Sequence, residues 1–185
     1  MRKILVTAAF SFLAASAAQA AGFSLTSPDV QGKPFGEKYV FNNFGCQGEN
    51  VSPALNWTEP PAGTKSLAVM VHDPDAPTGG SGWWHWVVIN LPADTRGLPQ
   101  GAADAAAKAL PAAAVQIRGD SGIPGWTGPC PPVGDKPHRY VFTVYALKVD
   151  KLDVPADASA ALVGFMVNGN AIGKASFTAH YGRKK

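Results

Sequence analysis

The sequence predicts a mainly β, single-domain protein with one helix near its C-terminus. Short runs of apolar and β-branched residues recur along the chain, bounded by turn residues. The intervening segments are too rich in Pro and Gly for regular structure: 16 prolines and 20 glycines in 185 residues argue for many turns and against a helix bundle. Only one segment repeats its apolar residues at helical spacing.

The chain begins with an expected export signal. Arg2 and Lys3 give a positive start, residues 4–18 carry no charge, and Ala18-Gln19-Ala20 places small residues where a signal peptidase requires them. The apolar run is short for a span of about 20 residues. Cleavage after Ala20 is therefore expected, with residues 21–185 forming the mature domain in the periplasm or outside the cell and no stable membrane insertion. A mature length of about 165 residues suits one domain with one core.

Without Arg2 and Lys3 the charge balance falls from 16 basic against 13 acidic residues to 14 against 13. Three of the remaining positives are Arg183, Lys184 and Lys185, so the body is near neutral. No basic stripe of the kind nucleic-acid binding requires is present. Cys46 and Cys130 are the only cysteines. In an exported chain an isolated pair is expected to form a disulfide.

Residues 22–48 mix short apolar runs with Gly, Pro and Asn, and read as loops and weak strands. Residues 64–72 hold the continuous apolar run Leu67 to Val71, which fits a strand buried on both faces. Residues 83–90, rich in aromatic and β-branched types, form a second strand. Residues 138–147 form the longest. Between them, residues 73–82 and 119–134 are Pro/Gly-rich loops, and residues 101–114 are Ala-rich, readable as short helix or loop. Asp157 reads as an N-cap, with Leu162, Phe165, Met166 and Gly169 on one helical stripe, Met and Phe in the core. Ile172 extends the stripe and Gly173 stands where a C′ glycine would end the helix. Residues 175–181 read as a last strand.

Strand alternation puts His85 on one face with Val87 and Ile89, and His138 with Tyr140 and Phe142. Asp73 follows the first long strand. Three strand ends thus offer a carboxylate, two imidazoles and a phenol beside Pro/Gly-rich loops. Such a set suits anion capture. Imidazole donates to a phosphate oxygen and becomes cationic as a dianion approaches. Tyr140 and loop N–H groups in residues 122–134 add donors, and Asp73 accepts from a histidine N–H and holds it in place. On spacing alone, separate and structurally satisfied polar residues are the better explanation of the pattern.

The wording of the segments goes further. Asp73-Pro74-Asp75-Ala76-Pro77, Trp84-His85-Trp86-Val87-Val88 and Gly128-Pro129-Cys130-Pro131-Pro132, with Gly134 and His138-Arg139-Tyr140 beyond, occur in that order. Together they resemble the phosphatidylethanolamine-binding protein family, nearest its bacterial Raf kinase inhibitor-like branch of YbhB/YbcL type. Cys46-x-Gly48-x-Asn50-x-Ser52-Pro53 is similar to that branch's opening motif, and residues 161–166 to its helix. The resemblance spans essentially the whole mature chain.

It implies a large antiparallel sheet packed with smaller sheets, and a surface pocket for phosphate-like groups or phospholipid head groups. Carried over by motif, the pocket residues are Asp73, Pro77, His85, Cys130, Pro131, His138 and Tyr140. Asp75 is expected to shape a turn, and Arg139, on the opposite face from His138, to pair with a carboxylate. The family's Gln-Gly-x-Asn-Asp-Phe-Gly segment is replaced here by residues 116–122, Gln-Ile-Arg-Gly-Asp-Ser-Gly, which alters one pocket wall. No cofactor and no metal is implied, and no catalytic residue is assigned. Family members are described as head-group binders, kinase-inhibitor-like proteins or protease inhibitors, so a protein partner is a further expectation.

Four rival readings stand beside this one. Gly119-Asp120-Ser121-Gly122 resembles a serine-protease nucleophile motif, but His72 or His85 and Asp94 or Asp104 lack the matching surroundings. Arg118-Gly119-Asp120 spells an integrin-type tripeptide in what reads as an ordinary loop. His72, Asp73, Asp75 and His85 offer metal ligands without zinc-type spacing, and His72 and Asp73 point to opposite faces. A phosphomonoesterase using His85 as nucleophile lacks a metal or Arg clamp for the charge that develops in phosphoryl transfer.

Overall fold

Among the described residues, eight strands and one α-helix follow one another as β1 (Leu25–Thr26), β2 (Leu55–Trp57), β3 (Ser66–Asp73), β4 (Trp83–Pro92), β5 (Gly97–Leu98), β6 (Val115–Ile117), β7 (His138–Leu147), α1 (Ala160–Asn170) and β8 (Ala171–Tyr181). The structure, a computed structural model, describes residues 22–185; the expected signal peptide, residues 1–20, lies outside the described residues. The strands form a five-stranded sheet in the order β6-β4-β3-β7-β8 and a three-stranded sheet in the order β1-β2-β5. All their pairings are antiparallel. The mainly β expectation with one C-terminal helix holds, with one smaller sheet packed on the large one.

The large sheet is covered on both faces, which explains the continuous apolar run in β3. Leu67, Val69 and Val71 face the small sheet together with Tyr140, Phe142 and Val144 of β7. Ala68 and Met70 face the other way, with Val87, Ile89 and the α1 residues Ala160, Val163 and Val167. Phe142 and Phe177 stack across β7 and β8 with centroids 4.8 Å apart, tying the longest strand to its neighbour.

The helix exists but shows the opposite face. Its N-cap is Ser159, not Asp157; the Ser159 hydroxyl accepts from Leu162 N–H at 3.2 Å. The buried stripe is Ala160, Val163, Gly164 and Val167. Leu162 is 41% exposed and Phe165 79% exposed, so the Leu162/Phe165 stripe is not core. Apolar residues lie on both sides of this helix, and size decides between them. A Cβ at Gly164 would stand 3.4 Å from Met70 Cε and 3.8 Å from Trp84 Cζ2, so the small-residue side lets the backbone approach the sheet.

Nor does Gly173 end the helix. The chain passes from Asn170 into β8 through an extended Ala171, so Ile172 belongs to that strand. A Cβ at Gly173 would lie 2.6 Å from Pro61 Cγ, a close approach that accounts for the glycine. The Ala-rich segment resolves into turns and a one-turn 3₁₀ helix at Ala105–Ala107, capped by Asp104, whose carboxylate accepts from Ala106 N–H at 2.8 Å.

Two irregularities in β4 matter for the site. Leu67 pairs with Leu91 and Val69 with Val88, so β4 carries one extra residue there; Asn90, with φ of 59°, absorbs it. Val71 pairs with Trp86 but His72 with Trp84, leaving His85 as an unpaired bulge residue.

Candidate functional site

That bulge re-aims a side chain, as bulges beside functional sites do. In an unbroken strand His85 would share a face with Val87 and Ile89, as alternation predicts. The extra residue turns it instead toward Tyr140 and Trp126, with ring centroids at 5.1 and 6.4 Å. Val87 and Ile89 remain on the helix side. Trp84, one residue earlier, packs on that side as well.

His85 thereby opens into a cavity of about 260 Å³ at one end of the large sheet. All seven residues carried over by motif line it: Asp73, Pro77, His85, Cys130, Pro131, His138 and Tyr140. Each comes from a strand end or the loop beside it. Asp73 closes β3, His138 opens β7 and Tyr140 follows on the same face. The loop carrying Cys130 forms the opposite wall, where Cys46 and Cys130 stand at disulfide distance, S–S 2.09 Å with Cα atoms 6.0 Å apart.

The carboxylate of Asp73 is buried and accepts from His138 Nδ1–H at 2.8 Å. Its other oxygen accepts from Asp75 N–H at 2.8 Å. Asp73 therefore orients an imidazole, the role expected of it. His138 Nε2 lies 3.4 Å from Asp135 Oδ2. Asp75 shapes the turn and pairs with Arg139, whose guanidinium donates at 2.7 and 2.9 Å and whose backbone N–H donates at 2.9 Å. That guanidinium holds the Asp75 carboxyl down at about 2.

His85 Nδ1 stands 2.5 Å from the carbonyl of Thr127. A carbonyl only accepts, so Nδ1 carries the hydrogen and the neutral ring presents a lone pair at Nε2. Among the described residues that Nε2 is buried without a partner, and so is the Tyr140 hydroxyl. Burial pushes the His85 imidazole down to about 4 and the Tyr140 phenol up. At neutral pH the pocket floor thus offers one acceptor and one donor, both unspent.

The depressed His85 value has a consequence for stability. The unfolded chain takes up a proton below about 6.5 while the folded ring resists until about 4, so stability rises with pH across that window. Acidification from pH 6.5 to 4 should cost on the order of 3 kcal/mol from this group. Urea midpoints across that range check this; His85→Gln should flatten the slope.

The loop differs from expectation in one respect. Thr127 and Gly128 do not turn their N–H groups to the cavity: Thr127 N donates to the His85 carbonyl at 3.0 Å and Gly128 N to Asn50 Oδ1 at 2.8 Å. These two N–H groups are fastened into the fold and are not donors for a ligand.

Sequence reasoning missed four contributors. Phe41, Phe44 and Trp83 line the mouth. Phe44 has φ of 52° and meets Phe41 at 5.5 Å and Trp83 at 6.2 Å. Nothing local marks Phe44, since its position depends on the wall that Cys46 joins to Cys130. Arg183, read as part of a basic tail, donates to Pro131 O at 2.5 Å and Gly45 O at 3.2 Å, linking the loops that bear the two cysteines.

The decoy motifs dissolve into structure. Asp120 accepts from Trp84 N–H at 2.8 Å and returns its own N–H to Trp84 O at 3.1 Å. A Cβ at Gly119 would stand 2.4 Å from Trp84 O. Gly-Asp here serves to pair with β4. Gln116 in the same altered segment accepts from the Trp86 indole at 2.8 Å and donates to Ala103 O at 3.0 Å. Among the described residues no cluster of His, Cys, Asp or Glu has metal-binding geometry, and no helix is long and apolar enough to cross a membrane.

The chain is similar to known proteins over most of its length. The sequence model of a family described as phosphatidylethanolamine-binding protein matches residues 31–182. The UPF0098 protein YbcL of Escherichia coli is 49% identical, covering 98% of this chain and 98% of its own. YbhB of the same organism is 50% identical over 85% of this chain and 98% of its own. The crystal structure of E. coli YbcL, described as a member of the mammalian PEBP family, superposes with a TM-score of 0.83 at 50% identity, covering 86% of this chain and 98% of that one. CT736, a PEBP homologue from Chlamydia trachomatis, superposes at 0.71 with 33% identity, covering 87% and 97%.

Proposed function

This chain belongs to the phosphatidylethanolamine-binding protein family, and from that premise we propose that it is an exported binding or regulatory module whose pocket holds a small phosphate-like anion, free or as a phospholipid head group, without turning it over. The observation that carries this reading is the pair of buried, unpartnered polar atoms at the pocket floor, His85 Nε2 and the Tyr140 hydroxyl. Leaving such a group unpaired costs about 1–3 kcal/mol, and a bound ligand recovers it. Both residues line the same cavity as His138 and Pro131. The Cys46–Cys130 pair supports export, because disulfides persist in oxidising compartments.

One observation favours a second reading, inhibition of a protease or other enzyme through the same surface. Phe44 is 59% exposed at the mouth, a large apolar side chain presented outward.

An NMR titration of the mature domain with phosphate and phosphoethanolamine tests the first reading. Saturable shifts of the His85 and His138 imidazole signals are expected, with no product formed. Tyr140→Phe should weaken binding about fivefold to tenfold by removing one donor worth about 1 kcal/mol, and His85→Ala should abolish it with the fold intact. Unchanged affinity in both variants would remove this site.

A further inference from the structure

We propose that this pocket selects a tetrahedral oxyanion that still carries an acidic hydrogen: it takes a phosphate monoester in its singly charged hydrogen form and rejects a sulfate of the same size and charge. The proposal rests on the anion-pocket reading above and adds what kind of anion the pocket admits.

The geometry leads there in three steps. The Thr127 carbonyl, 2.5 Å from His85 Nδ1, consumes that nitrogen's hydrogen. The ring's other nitrogen is therefore an acceptor, buried and without a partner among the described residues, on a side chain that lines the cavity. The second buried acceptor lining the cavity is the Asp73 carboxylate, already committed to His138 and Asp75 N–H. An oxyanion with no hydrogen would set its oxygens against a lone pair and a carboxylate, with the Tyr140 hydroxyl as the unspent donor. An anion bearing P–O–H satisfies both orphans at once: its hydroxyl donates to Nε2 and another oxygen accepts from Tyr140.

Other groups around His85 do not reverse this. From β3 it faces Asp73 and His72, from the segment after β6 Asp120, and from β7 Tyr140 and His138. Burial keeps the free ring from arriving with a second proton of its own. Whether the shared hydrogen rests on phosphate or on Nε2 in the complex, the bound state holds one proton more than the free ring plus a phosphate dianion. Binding a dianion from solution therefore takes one proton from the buffer.

Methyl phosphate and methyl sulfate separate the alternatives. Near pH 5, below the second ionisation of a phosphate monoester at about 6, both are singly charged and differ by one hydrogen. Isothermal titration calorimetry of the mature domain should show methyl phosphate binding at least about tenfold tighter, the discrimination one hydrogen bond to a charged group supplies. At about pH 7.5, where the dianion dominates, the heat measured in buffers of different ionisation enthalpy should report uptake of close to one proton. Equal affinities near pH 5, or binding at the higher pH without proton uptake, would overturn the proposal while leaving an anion pocket standing. Binding of neither probe would remove the anion-pocket reading, and this inference with it.

Discussion

Replacing Cys46 and Cys130 together by Ser should lower the stability of the mature domain by up to about 4.6 kcal/mol, the largest single loss expected in this protein. The bond joins residues 84 apart in sequence, and closing a loop of that size removes about this much conformational entropy from the unfolded chain. For a domain of this length each kcal/mol moves the melting temperature by about 2–4 °C, so a drop on the order of 10–15 °C follows. The pocket should suffer as well. Cys130 lines the cavity, and so does Phe44, two residues from Cys46. Denaturant curves of the oxidised protein and the double Ser variant measure the effect, and coincident midpoints would show that the bond contributes nothing.

Gly128→Ala is expected to be nearly as damaging, for a steric reason. A Cβ at this position would stand 2.1 Å from the Tyr39 carbonyl oxygen, 2.6 Å from Phe41 N and 2.7 Å from Val40 C, all backbone atoms. No side chain can rotate away to relieve the overlap, so residues 127–130 and 39–41 must part. Their separation would strain the Phe41 N to Pro129 O bond at 3.2 Å and the Gly128 N to Asn50 bond. A loss of at least about 3 kcal/mol follows, at the upper end of overpacking costs. Because both segments wall the cavity, the phosphate titration should weaken in parallel. Gly36→Ala serves as the control: nothing lies within 4 Å of its Cβ, and a change within about 0.5 kcal/mol is expected. Equal stability of the two variants would mean that the wall is not packed as described.

Much of the architecture was legible because it is written in local pattern. The apolar run Leu67 to Val71 announced a strand covered on both faces. Residues 138–147 were read with the same bounds that β7 shows. The seven residues grouped by motif converge on one cavity, because each motif sits at the end of a long strand or in the loop next to it. Alternation also separated His72 from Asp73: His72 packs against Trp84 at 4.2 Å with the rings tilted by 39°, while Asp73 lines the cavity.

The misreadings share a cause. The helix carries two apolar stripes, and periodicity could not choose between Leu162/Phe165 and Val163/Val167. The choice was made by residues of distant strands, Met70 and Trp84, which pack against the Val163/Val167 side of the helix at Gly164. His85 faces the pocket because β4 holds one residue more than β3 can pair, a mismatch visible only once the strands are in register.

Local pattern and motif sufficed for the β class, the order of the long strands, the cysteine pairing and the grouping of the seven residues that line one cavity. Tertiary structure alone decided the face of the helix, the direction of His85, the nitrogen of that ring that bears its hydrogen, and the place of Phe44 and Arg183 in the walls. Local preferences act over a few residues and are complete before the chain folds back on itself. A bulge, a buried face or a tautomer is set by partners dozens of residues away, as the Thr127 carbonyl is to His85.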